Sequence, residues 1–213
     1  MGDLVTLYYR RNRGWPTPED SYGLTPMYGA DGWCRGCGVS LREQTGSIVL
    51  RSKGLTGAQG AWIPYWRTNV LCMQRSLGED LAGRFGLRLR PVVWPRQAPG
   101  EAVQVLMPVV GERWFDPDEL RRRTHLRHGR DGVACPTCGT WRWLPLRLVE
   151  QPPVHVGPEL AAAPIAASPE WFGDGWSSFH KLLMVRELAE LIQRASPRDF
   201  TVEEVPQVYE SHP

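Results

Sequence analysis

The chain has 213 residues, 42% hydrophobic and 23% charged, which suits a globular protein with one substantial core or two small lobes sharing one. Its net charge of +2 points to no class of partner, and no run of about 18 apolar residues is present to span a membrane. The opening MGDLVTLYYRRNRG lacks the pattern of a secretory signal, so the expected compartment is the cytoplasm.

In chain order, LVTLYYRR is rich in β-branched and aromatic residues and predicts a strand. Loop chemistry follows through NRGWPTPEDSYGLTPMYGADG, and GSIVLRS is a second strand candidate. The glycine-broken, aromatic GLTGAQGAWIPYW predicts irregular packing. SLGE has the spacing of a capping box, with Glu79 three residues after Ser76, and predicts a helix that stops at Gly86. LRLRPVVW predicts a strand that Pro91 confines to an edge or bulge. EAVQVLMPVV predicts a further strand or two. DPDELRRRTHL predicts a helix capped by Asp116, with Pro117 in its first turn.

WRWLPLRLVE predicts a strand, and QPPVHVGPELAAAPIAASP reads as a connector. SSFHKLLMVRELAELIQRA carries Phe179, Leu182, Leu183, Leu188, Leu191, Ile192 and Ala195 at helical spacing and predicts one long helix. DFTVEEVPQVYE alternates and predicts a half-exposed strand. Leu71, Met73, Arg75, Leu77 and Glu79 recur as Leu182, Met184, Arg186, Leu188 and Glu190, each 111 residues later. The expected fold is therefore α+β, with mixed or antiparallel sheets and a few helices. It forms a single compact domain over residues 1–213, built from pseudo-repeat halves at 1–100 and 101–213.

Two CxxCG turns dominate the chemistry. Cys34 and Cys37 lie in WCRGCGVS, Cys135 and Cys138 in ACPTCGTW, with 97 residues between the pairs. Such a turn sets two sulfurs on one side of an ion, and two turns complete a tetrahedral zinc site with no position left for water. Cys34, Cys37, Cys135 and Cys138 are thus the expected ligands of one structural Zn2+, a zinc-ribbon-like staple between distant segments. The usual separation of two such knuckles is roughly 15–20 residues, so other readings stay open. One is a redox role for either pair. Another is a local HxxH…CxxC site of His125, His128, Cys135 and Cys138. Cys72, in the apolar NVLCMQ, is expected to be a small core residue.

Little else points to chemistry. There is no GxSxG, HExxH, phosphate-cradling GxxxxGK[ST] or dinucleotide fingerprint, so no enzymatic activity is expected. ELRRRTHLRHGR holds five arginines in twelve residues, but only Lys53 and Lys181 are lysines, and this Arg bias favours a solvated helix face over a phosphate-binding one. The ten tryptophans are expected mostly to fill core between irregular segments, and His180 to pack rather than act as a base.

CRGCG, CPTCG, LCMQRSLGEDLAGRFGLRLRPV and LLMVRELAELIQRASPRDFTVEEV together give a chain that resembles the double-CXXCG family of bacterial immunity proteins, which accompany toxins of swarming-inhibition systems. The resemblance runs from about Trp33 to Val205. It implies that Cys34, Cys37, Cys135 and Cys138 bind a metal, and that the protein neutralises a cognate toxin inside the cell by binding it. On this reading Glu203, Glu204 and Glu210 could face a basic toxin. The alternative is a zinc-ribbon nucleic-acid-binding or regulatory protein using residues Arg121 to Arg130, and nucleic acid is the less favoured partner.

Overall fold

The computed structural model describes residues 3–10, 16–52, 57–96 and 98–209. The first part of the chain forms strands β1 (Leu4–Tyr9) and β2 (Thr17–Pro18), helix α1 (Leu24–Tyr28), and strands β3 (Leu50–Arg51), β4 (Ala61–Trp62) and β5 (Leu71–Gln74). Helix α2 (Arg75–Phe85), strands β6 (Arg88–Pro91) and β7 (Ala102–Leu106) and helix α3 (Pro117–His128) follow. Then come β8 (Gly132–Ala134), β9 (Trp141–Trp143), β10 (Val154–Val156), α4 (Pro158–Ala162) and β11 (Ile165–Ala167). The chain closes with β12 (Leu182–Val185), α5 (Arg186–Ala195), β13 (Phe200–Glu204) and β14 (Gln207–Tyr209). This is the expected α+β class, with mostly antiparallel pairing.

Two four-stranded sheets carry the architecture, ordered β4-β5-β7-β6 and β11-β12-β1-β13. In the first, β5 and β6 both pair antiparallel with β7, so they run parallel to each other and α2 is their crossover. In the second, β12 and β13 flank β1 in the same way, with α5 as crossover. The match extends to register: Met73 opposes Val103 where Met184 opposes Val5, and Leu89 opposes Val105 where Val202 opposes Leu7. The repeat legible at a spacing of 111 residues is thus a strand–helix–strand unit. Its boundaries differ from those expected, because the strand completing the second unit is β1, from the opposite end of the chain. A cut at residue 100 does not separate two units.

Strand alternation divides the interior. Val5, Met184 and Ile165 of one sheet meet Ala61, Leu71, Met73 and Val103 of the other in a shared core with Leu81 of α2 and Leu188, Ala189 and Ile192 of α5. The intervening residues Leu4, Leu183 and Ala166 face a second core around Trp114, Phe115 and Phe172. Trp62, Cys72 and Ala102 face a third, with Met27, Ile48 and Leu50. Cys72 is a buried filler as expected, and burial drives its thiol pKa far up. Trp33, Trp62, Trp114 and Trp143 are buried as well.

Three expectations need correction. The long final helix is strand β12 followed by α5: Leu182, Leu183 and Met184 pair with β11, Met184 and Val185 pair with β1 on the other side, and that ladder overrides the helical spacing. The capping box at Ser76 does not form, because α2 begins at Arg75 directly out of a paired strand. The sheet satisfies the helix entry, with the Arg75 amide donating to Glu101 O at 3.0 Å and the Arg186 amide donating to Asp3 O at 2.8 Å in the second unit. The connector at 151–169 contains β10, α4 and β11. Pro91 does fall on an edge strand, and Asp116 does cap α3, accepting from the amides of Asp118 and Glu119. Among the described residues no helix is long and apolar enough to cross a membrane.

Candidate metal centre

Each CxxCG turn sits at the tip of a short antiparallel pairing. Trp33 faces Ser40 in the first, Ala134 faces Trp141 in the second, so the two knuckles superpose at a constant offset of 101 residues. The bonds repeat too: the Cys34 amide donates to Val39 O at 2.8 Å and the Cys135 amide to Thr140 O at 3.0 Å. The amides of Gly38 and Gly139 each close the turn onto the first cysteine carbonyl at 2.8 Å. Both glycines sit at positive φ, 78° and 74°, where a side chain would be strained.

The fold brings the knuckles face to face. Cys34 Sγ lies 3.7 Å from Cys135 Sγ, Cys37 Sγ lies 3.8 Å from Cys138 Sγ, and all four sulfurs fall within 4.8 Å of one another. Four sulfurs bound tetrahedrally at about 2.3 Å from one ion stand about 3.8 Å apart along each edge, so the cluster has the dimensions of a metal site. Cys34, Cys37 and Cys135 are buried, Cys138 half-buried, with Val39 and Trp171 packed around them. No cysteine is in a disulfide. The four residues expected from the sequence are the four brought together, and they could hold a metal ion.

The knuckles differ in electrostatics. The amides of Cys138 and Thr137 point at Cys135 and hold its thiol down, at about 6. At Cys138 burial works upward, but hydrogen bonds with the Thr140 hydroxyl and amide and with Cys34 and Cys37 together outweigh it and the pKa falls. Burial dominates at Cys34 and Cys37 and raises both, Cys37 most of all. Cys135 is therefore the thiolate of the set, and Cys34 and Cys37 are the thiols that would give up protons to a bound cation.

A loop that the sequence did not flag laces the knuckles together. Ser178 donates to the Cys37 carbonyl at 2.7 Å and accepts from Arg142, on β9 of the other knuckle, at 3.2 Å. Arg142, itself buried, also donates to Gly175 O at 2.7 Å, and the Trp176 indole donates to Arg35 O at 2.9 Å. Their only sequence signal is position within a Gly- and Trp-rich segment, which names no partner. Gly36 is similarly constrained, since a Cβ there would stand 2.5 Å from Thr137 Oγ1 and 3.3 Å from Cys135 Sγ.

The other candidates lie elsewhere. His125 and His128 are exposed and outside the sulfur cluster: His125 Nδ1 lies 3.1 Å from Asp131, and His128 Nε2 lies 2.9 Å from Pro145 O. Their local metal site with Cys135 and Cys138 is not formed. In the arginine run, Arg121 pairs with Asp118, Arg122 and Arg123 with Glu119, and Arg130 with Asp174. Glu203 and Glu204 are engaged by Arg147 and Arg186, and Glu210 lies outside the described residues. His180 packs 3.7 Å from the Trp171 ring, and burial holds it neutral with a pKa lowered to about 4. Neither a scan of protein-family models nor searches of curated proteins and of solved structures finds a match to this chain.

Proposed function

We propose that this chain is a non-enzymatic binding protein of the immunity type, a zinc-stapled scaffold that neutralises a cognate bacterial toxin by covering it. The observation that carries the reading is the closed four-sulfur cluster joining segments 101 residues apart. Four thiolates at tetrahedral spacing favour Zn2+, fill its coordination shell, and leave no position for a reacting water. Such an ion holds shape rather than performs chemistry. The double-CXXCG resemblance supplies the toxin as the partner.

A surface suited to binding lies next to the centre. Tyr22 and Trp66, 39% and 47% exposed, stack with ring centroids 5.9 Å apart. Tyr22 also meets Trp176 at 5.5 Å, and Trp176 packs edge-on against Trp33, the residue before the first knuckle. Asp20, Ser21, Tyr22 and Trp66 are the non-glycine residues at positive φ among those described. Strained backbone holding exposed aromatic rings is typical of a binding surface, and Trp and Tyr are common anchors of protein interfaces. The nucleic-acid alternative has weaker support, because carboxylates of the chain already engage Arg121, Arg122 and Arg123.

Co-expression with the toxin encoded beside the gene tests this reading. Protection and co-purification at fixed stoichiometry are expected, with Trp66→Ala weakening the complex at least about tenfold while the metal content stays unchanged. A protein that carries zinc but neither binds nor protects would end the toxin reading and leave the scaffold standing.

A further inference from the structure

Where the chain leaves β7 it runs beside β11, with Val109 bridging to Ala167, and a cavity of about 740 Å³ opens there. Val70, Leu106 and Met107 give it an apolar wall, and Tyr28 and Trp171 add aromatic rings. A cleft of that size admits a small organic ligand.

Its polar side carries three donor groups that the chain leaves without acceptors. Gln104 of β7 lines the cleft and is 3% exposed. Its amide is clasped to that of Gln44, Nε2 of each donating to Oε1 of the other at 2.8 and 2.9 Å. Gln44 gives its second N–H to Gly46 O at 2.9 Å, whereas the second N–H of Gln104 meets no acceptor among the described residues. A buried N–H left alone is unfavourable unless a ligand completes it. Arg88 also lines the cleft and opposes Leu106 on β7, so it stands on the same face of the sheet as Gln104 and diagonal to it, within reach of a long side chain. Arg42, a third lining residue, lies two positions before Gln44, on the segment that the amide clasp holds over the sheet. Neither guanidinium is in an ion pair among the described residues, and Glu43, the one carboxylate of the lining, is exposed and pairs with neither. With His180 neutral, two arginines against that carboxylate leave the lining positive.

We propose that this cleft binds a small organic phosphate monoester, its phosphoryl oxygens taken by Arg42, Arg88 and the remaining N–H of Gln104, its organic body against Val70, Leu106 and Met107. Donors from three side chains match a group with several acceptor oxygens, and two unpaired guanidiniums match more than one negative charge. A phosphate monoester supplies both, with three terminal oxygens and a charge of about −1.5 to −2, whereas a carboxylate or a sulfate ester carries a single charge. The apolar wall favours an organic ester over inorganic phosphate. The proposal is independent of the metal and of any toxin, and is tested on the isolated full chain.

Isothermal titration at about pH 8, where the monoester is fully ionised, tests it with 1-naphthyl phosphate as the probe. The same titration with 1-naphthyl sulfate keeps the body and lowers the charge, and inorganic phosphate keeps the charge and removes the body. The phosphate ester is expected to bind, and the other two to bind at least about tenfold more weakly. Arg42→Gln and Arg88→Gln, both at exposed positions, are each expected to weaken the phosphate ester at least about tenfold. Arg127→Gln, which removes the same charge from exposed α3 outside the cleft, is expected to leave its affinity unchanged. The comparison of ligands needs no variant, so it stands even if a substitution prevents folding. No binding of the phosphate ester, equal binding of the sulfate ester or of inorganic phosphate, or an affinity that survives either cleft substitution would overturn the proposal, as would an equal loss in Arg127→Gln.

Discussion

Ser178 shows how much of the metal centre depends on residues other than its cysteines. Its hydroxyl donates to the Cys37 carbonyl and accepts from Arg142, so a single buried side chain ties the first knuckle to the strand leaving the second. Ser178→Ala leaves a buried carbonyl and a buried guanidinium each short of a partner, and is expected to cost about 1–3 kcal/mol in a denaturant melt of the metal-loaded protein. Protons report on the same site. Cys34 and Cys37 are held protonated by burial, whereas backbone amides hold Cys135 as thiolate at about 6. Uptake of one divalent ion at pH 7 is therefore expected to release at least two protons, measurable as acidification in weak buffer. The sign for the metal-free fold follows from the same shift. Because the Cys135 pKa is lowered from 9.0, its contribution to stability is present above that value and is lost as pH falls through about 6. The four clustered cysteines were legible from the sequence because CxxCG fixes spacing, turn and chemistry at once. Ser178 and Arg142 were not, since a single serine or arginine carries no record of what it will face.

At the level of elements, α2 and α5 are the same device used twice, each entering directly from a paired strand and each lying against a split pair of strands. Gly78 marks a difference between them. A Cβ there would stand 2.4 Å from Val103 Cγ2 and 3.4 Å from Met73, whereas the position 111 residues later is a buried alanine, Ala189. Gly78→Ala is expected to destabilise by about 1–3 kcal/mol despite alanine's better helix propensity, because overpacking against β7 outweighs it. Chemical denaturation checks the sign: a more stable variant would mean that the helix stands farther from the sheet. For α3, Asp116→Ala removes the acceptor for two amides and is expected to cost about 1 kcal/mol in the same assay. The cap on α3 could be read from the sequence because Asp-Pro-Asp-Glu acts locally. Strand β12 could not, since Leu182–Val185 continues the apolar spacing of α5 and becomes a strand only through β1 and β11, which are distant in sequence.

Across the whole molecule, the two strand–helix–strand units share one core, and the knuckles close a second connection between early and late parts of the chain. β1 pairs with β12 and β13, so Leu4–Tyr9 is held between two strands from the far end of the described chain, a closure that no local pattern encodes. The 111-residue repeat revealed that two units exist, but it could not reveal that the second takes its central strand from the N-terminus. In this architecture a metal at the four sulfurs restrains one end of a fold already closed at the other. The most direct measurement is the metal content of the purified protein and of Cys37→Ser, by elemental analysis alongside a melt in excess chelator. One zinc ion per chain is predicted, with loss of that ion in the variant and a fall of several degrees in the midpoint when the chelator removes it. Protein that contains no zinc, or that keeps it in full after Cys37→Ser, would contradict the account.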